Sequence, residues 1–106
     1  MRWEYLTSSE LKKAARSTSG VCVIAMGVIE RHSEHLPLGT DYYLALDTAR
    51  IISARTGVVV APAVMVGYSI YHSGLPGTLS LKPETMKEVL YETADMKNTP
   101  PALRPP

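Results

Sequence analysis

Only one cysteine, Cys22, occurs in the sequence, so no intramolecular disulfide can help hold the fold. It lies in the apolar run Val21-Cys22-Val23-Ile24-Ala25-Met26, where it reads as a small buried hydrophobe rather than a reactive thiol. No apolar stretch approaches the roughly 20 residues that a membrane-spanning helix needs. Met1-Arg2-Trp3-Glu4 lacks the basic start and apolar centre of a signal peptide, and the expected location is cytoplasmic. An excess of one charge is equally missing: Lys and Arg number 11 against 10 Asp plus Glu, and they are scattered. Neither nucleic acid nor a membrane surface is therefore an expected partner. No internal repeat is present. What remains is a chain of 106 residues, 45% apolar and 20% charged, which describes a single small domain. A chain of that size buries between about 60% and about 70% of its unfolded surface, enough for a modest core.

The pattern of apolar residues and breakers predicts an α/β arrangement. Thr7-Ser8-Ser9-Glu10 is a capping-box sequence, and a helix is expected near residues 8 to 16 through Leu11, Ala14 and Ala15. Residues 21 to 26 are continuously apolar and partly β-branched, which suits a strand covered on both faces. A helix over 41 to 55 follows, with Thr40 or Asp41 as N-cap, a stripe through Tyr42, Ala45, Leu46, Ala49 and Ile52, and Gly57 beyond its end. Val58 to Ala61 begins a second buried strand, so strand, helix and strand form a right-handed parallel unit. Residues 67 to 77, Gly-Tyr-Ser-Ile-Tyr-His-Ser-Gly-Leu-Pro-Gly, are unsuited to a helix and read as a second functional loop facing the first. Thr78 to Leu81 reads as a short strand. Pro83 opens a last helix near 83 to 95 with Met86, Val89, Leu90 and Thr93 on one face. The domain is placed at 1–97, and 98–106, where Pro100, Pro101, Pro105 and Pro106 cluster, is read as a disordered tail.

The chemistry concentrates between Glu30 and Asp41, in Glu-Arg-His-Ser-Glu-His-Leu-Pro-Leu-Gly-Thr-Asp. Loops at strand ends position functional groups on a rigid scaffold. If the backbone stays extended to His32, Glu30 and His32 share a side, because strand side chains repeat every two residues. Asp41 follows after a loop stiffened by Pro37 and turned at Gly39, and can complete a mixed oxygen and nitrogen site for Zn, Mn or Fe in the divalent state. Taken singly each residue has a plainer reading: Glu30 balancing Arg31, His32 and Glu34 solvated, His35 donating to a loop carbonyl, Asp41 capping its helix.

The joint pattern resembles the creatininase, or creatinine amidohydrolase, family. Gly27, Glu30, His32, His35, Leu36, Pro37, Thr40 and Asp41 fit its G-x-x-E-x-H-x-x-H-L-P-x-x-T-D stretch in register. Trp3, Thr7 and Glu10 are similar to the family's opening segment. His72-Ser73-Gly74-Leu75-Pro76-Gly77-Thr78 is similar to its H-x-x-F-P-G-T segment, with Leu75 in place of Phe. The resemblance implies an α/β/α sandwich with a mainly parallel sheet, here incomplete, and a metal-dependent amidohydrolase acting on non-peptide, often cyclic, C–N amide bonds. It implies two divalent ions per complete site, with Glu30 on one, His32 on the other and Asp41 bridging, and water activated for attack on a polarised amide carbonyl. His35 and His72 would border the pocket of a small-molecule amide substrate. Homo-oligomers are the family's usual state.

One departure qualifies those implications. Members run to roughly twice this length, and the N-G-H-G-G-N-like loop that brings their remaining ligands has no counterpart among these 106 residues. The expectation is an N-terminal half, truncated, a gene fragment, or one half of a split enzyme completed by a second chain. The alternative function is a non-catalytic homologue or subunit that retains part of the metal site. An exposed sheet edge is also expected, with self-association as its consequence.

Overall fold

The computed structural model of the chain describes residues 1–94. The proline-rich segment therefore lies outside the described residues. Met1 and Arg2 run beside the sheet, and a single 3-10 turn at Trp3–Tyr5 leads into helix α1, Ser8–Ser17. The capping box forms: the Thr7 hydroxyl accepts from the Glu10 N–H at 3.2 Å, and the Glu10 carboxylate accepts from the Thr7 N–H at 2.8 Å. With its N-terminal donors satisfied, α1 turns Leu11, Ala14 and Ala15 inward against Val59, while Trp3, Leu6 and Cys22 close the edge of that cluster.

Strands β1, Cys22–Met26, and β2, Val59–Val64, pair in parallel, with Cys22 opposite Val59 and Ile24 opposite Ala61. Helix α2, Thr40–Thr56, joins them and packs Leu46 and Ala49 onto Ala25 and Val60. It ends where Gly57 adopts φ 79°, a left-handed conformation that costs glycine nothing, and its N–H returns to the Ser53 carbonyl at 2.8 Å. Helix α3, Pro83–Thr93, sets Met86 beside Gly67 at the start of the second loop, with Met86, Val89 and Leu90 half-buried.

The architecture is a small parallel sheet with helices, an incomplete α/β fold. Four local expectations change. Helix α2 starts at Thr40 with Gly39 as N-cap, and neither Thr40 nor Asp41 caps it: the Thr40 hydroxyl donates instead to the Pro37 carbonyl at 2.6 Å. Strand β1 is not covered on both faces, because Ile24 and Met26 stand beside an edge that no described strand pairs with. Residues 78 to 81 form no strand, only a bridge between Gly67 and Ser80, since Leu79 donates to the Ile29 carbonyl and Leu81 to that of Gly67. Thr93 is exposed, outside the half-buried face of α3.

Candidate metal centre

Gly27 decides where α2 begins relative to β1. A Cβ there would lie 2.4 Å from both the Cα and the N of Tyr42, so only glycine lets the first turn of the helix cross directly against the strand end. That crossing brings Asp41 over the segment leaving β1. The intervening loop closes on itself, with the Glu30 N–H donating to the Leu38 carbonyl at 3.1 Å and Ser33 at φ 56° turning its tip. A second loop is fastened beside the first. The Arg31 N–H donates to the Thr78 hydroxyl at 3.0 Å, and a Cβ on Gly77 would meet Leu38 at 2.4 Å.

These constraints gather Glu30, His32 and Asp41, whose ligand atoms all lie within 4.8 Å of one another. His32 Nε2 is 3.2 Å from Asp41 Oδ2 and 3.8 Å from Glu30 Oε1. It is buried and, among the described residues, has no hydrogen-bond partner. A buried imidazole nitrogen that makes no hydrogen bond while facing two carboxylate oxygens leaves its polar capacity unmet. A cation between the three atoms would satisfy them together. Two oxygens and one imidazole nitrogen are a donor set for Zn, Mn or Fe in the divalent state, so the residues fit such an ion.

His72 reaches the same cluster from the second loop, with Nδ1 3.2 Å from Glu30 Oε2. Ser69 joins it there: its hydroxyl donates to Glu30 Oε2 and lies 3.2 Å from His72 Nδ1. This donation, first of all, holds the Glu30 carboxyl below its usual pKa, against the opposing effect of burial; Asp41, His72 and His32 add to the lowering. Sequence reasoning assigned Ser69 no role. The available signal was a serine three residues before a histidine in a loop already read as functional, which a 3-10 turn at Ile70–His72 converts into neighbours. His35 is exposed, and no hydrogen bond or ion pair joins it to the cluster among the described residues. Glu34 pairs with Arg31 at 2.7 Å at the exposed surface. A groove beside the loop is bordered by Arg31, Leu36, Leu38 and Pro76, and neither His35 nor His72 lines it.

Residues 4–98 match the creatininase family, described as creatinine amidohydrolase. The mycofactocin precursor peptide peptidase of Mycobacterium tuberculosis (strain CDC 1551 / Oshkosh) is 36% identical over 96 residues, covering 81% of this chain and 37% of that protein. The 3-dehydro-scyllo-inosose hydrolase of Thermotoga maritima is 28% identical over 89 residues, covering 83% of this chain and 28% of that one. Among solved structures, a manganese creatininase superposes with a TM-score of 0.82 at 23% identity, over 88% of this chain and 38% of its own. A glutamate-to-glutamine variant of creatininase, described as Zn-Zn type, gives 0.71 at 27% identity with the same coverage. The chain thus spans well under half the length of the relatives it matches.

Proposed function

The chain belongs to the creatininase family, and from that premise we propose that Glu30, His32 and Asp41 are the ligands it contributes to a divalent metal centre for hydrolysing C–N amide bonds. The observation that carries the reading is His32 Nε2, buried between two carboxylate oxygens and without a hydrogen-bond partner among the described residues. Manganese and zinc creatininases among the similar structures support a divalent ion of that kind. When bound, such ions polarise an amide carbonyl and make water nucleophilic near neutral pH. The protein's part is to present one imidazole and two carboxylates from a strand end and a helix start that Gly27 locks together. Zn, Mn and Fe all suit this set, with two ions in the complete site.

The proposed substrate is a small non-peptide amide, with His72 beside the metal cluster and His35 further out along the loop. A peptide amide is the second reading, favoured by the peptidase relatives. In this proposal residues 1–97 are the N-terminal half of a creatininase-like domain and 98–106 an extension of it. The remaining ligands belong to the second half of such a domain, and the proposed partners are a complementing second-half chain or further copies of this chain in a homo-oligomer, in the cytoplasm. No described helix is long and apolar enough to cross a membrane.

The test is a calorimetric titration of the full chain with Zn or Mn, followed by hydrolysis assays on cyclic amides and on peptides with the metal present. Binding should be measurable but weak, because three ligands leave several positions to water. His32→Ala should abolish it. Unchanged binding in that variant would contradict the assignment, and hydrolysis of peptides alone would favour the second reading. Tight metal binding with no hydrolysis of either class, even with a complementing half supplied, would favour a non-catalytic subunit.

A further inference from the structure

The two oxygens of Glu30 have different surroundings. Oε2 accepts from the Ser69 hydroxyl and sits 3.2 Å from His72 Nδ1, whereas Oε1 faces His32 Nε2 at 3.8 Å. Ser69 is buried, 6% exposed, and its own N–H donates to the Ser80 hydroxyl at 2.9 Å, which fixes its backbone. A serine, a histidine and a carboxylate within hydrogen-bond reach invite comparison with a nucleophile relay. Here both oxygens approach the same ring nitrogen, and a relay needs them on opposite nitrogens of the imidazole. Ser69 is therefore placed to act on Glu30 rather than through His72.

We propose that Ser69 is a positioning residue for the metal centre: with His72 beside it, its hydroxyl occupies Oε2 of Glu30 and leaves Oε1 as the oxygen offered to a divalent ion next to His32 and Asp41. This rests on Glu30 being a ligand, as proposed above. The terminal torsion of a glutamate is broad and roughly two-fold, so an untethered carboxylate presents either oxygen, or both. Tethering one oxygen makes Glu30 a single-point ligand. It leaves the neighbouring coordination positions free for other groups. A serine is suited to the task because an ionised carboxylate only accepts hydrogen bonds, and the hydroxyl supplies a compact donor whose hydrogen rotates to meet it.

The experiment titrates Zn or Mn into the full chain and into Ser69→Ala, Ser69→Thr, Glu30→Ala and the Glu30→Ala/Ser69→Ala double variant, with a thermal melt on each. Groups that hydrogen-bond a metal ligand typically contribute about 10- to 100-fold in metal affinity, and S69A is expected to lose that much. Ser69→Thr keeps the hydroxyl and adds only a methyl group, so it should recover most of the loss. In the E30A background S69A should change affinity less than about twofold, because its effect runs through Glu30. A purely structural serine would weaken E30A as well, by a similar factor. Wild-type affinity in S69A, failure of the threonine to rescue, or a further tenfold loss in the double variant would each overturn the proposal. Should S69A not fold, Ser69→Cys, similar in shape and a weaker donor, takes its place, and wild-type affinity in that variant would overturn the proposal too. If E30A itself binds as wild type, the ligand assignment has failed, and that result is distinct from any that concerns Ser69 alone.

Discussion

Glu30 combines a ligand geometry with an electrostatic consequence that can be measured without any metal. Its folded pKa lies below the unfolded one, chiefly through the Ser69 hydroxyl. A group depressed in this way contributes stability that is present above its unfolded pKa, about 4.3 for Glu, and lost as pH falls through the folded value. Melting the metal-free chain at pH 7 and at pH 3 should therefore show a loss on acidification that is smaller in Ser69→Ala, where the first cause of the depression is removed. Equal acid losses in the two proteins would contradict the assignment of Ser69 as the main cause. Glu30, His32 and Asp41 were legible through the family resemblance joined to their place at a strand end and a helix start; taken singly, each had a plainer reading. Ser69 was not, because its contact with Glu30 spans 39 positions and depends on the short 3-10 turn of the second loop. Nothing local in Gly67-Tyr68-Ser69 specifies that approach.

At the level of elements, the site depends on one crossing, α2 over the end of β1. Gly27→Ala places a methyl group 2.4 Å from the Tyr42 backbone, where no side-chain rotation relieves it, so the helix start must move. Overpacking of this kind costs about 1–3 kcal/mol, and the displacement of Asp41 should weaken metal binding as well. The control is Thr7→Ala, which removes one half of the α1 capping box at a cost of about 1 kcal/mol. It lies in another cluster and should leave metal affinity unchanged, so comparing the two variants by melting and titration separates lost stability from a lost site. If G27A binds metal as wild type, the crossing does not position Asp41. The helices and the paired strands were readable because each carries a periodic apolar pattern and explicit stop signals such as Gly57. An exposed edge was expected from a half sheet, but its place at Ile24 and Met26 was not readable, since a continuous apolar run shows that a strand expects cover without showing what supplies it.

At the scale of the whole molecule, the outer edge of β1 is left unpaired among the described residues. Ile24 and Met26 border a shallow apolar groove with Leu44 and Ile52 of α2, all four exposed. An open edge flanked by apolar side chains templates association with another strand. Sedimentation of the chain should show self-association that rises with concentration, and Met26→Lys, which puts a charge at that edge, should shift the population toward monomer. A clean monomer at high concentration would contradict this. The metal centre is tested most directly by an anomalous-diffraction map of crystals of the full chain grown with zinc. A peak is expected about 2.0–2.2 Å from His32 Nε2 and from a carboxylate oxygen each of Glu30 and Asp41. A zinc peak at His35 or elsewhere on the surface, with those three side chains unliganded, would contradict it.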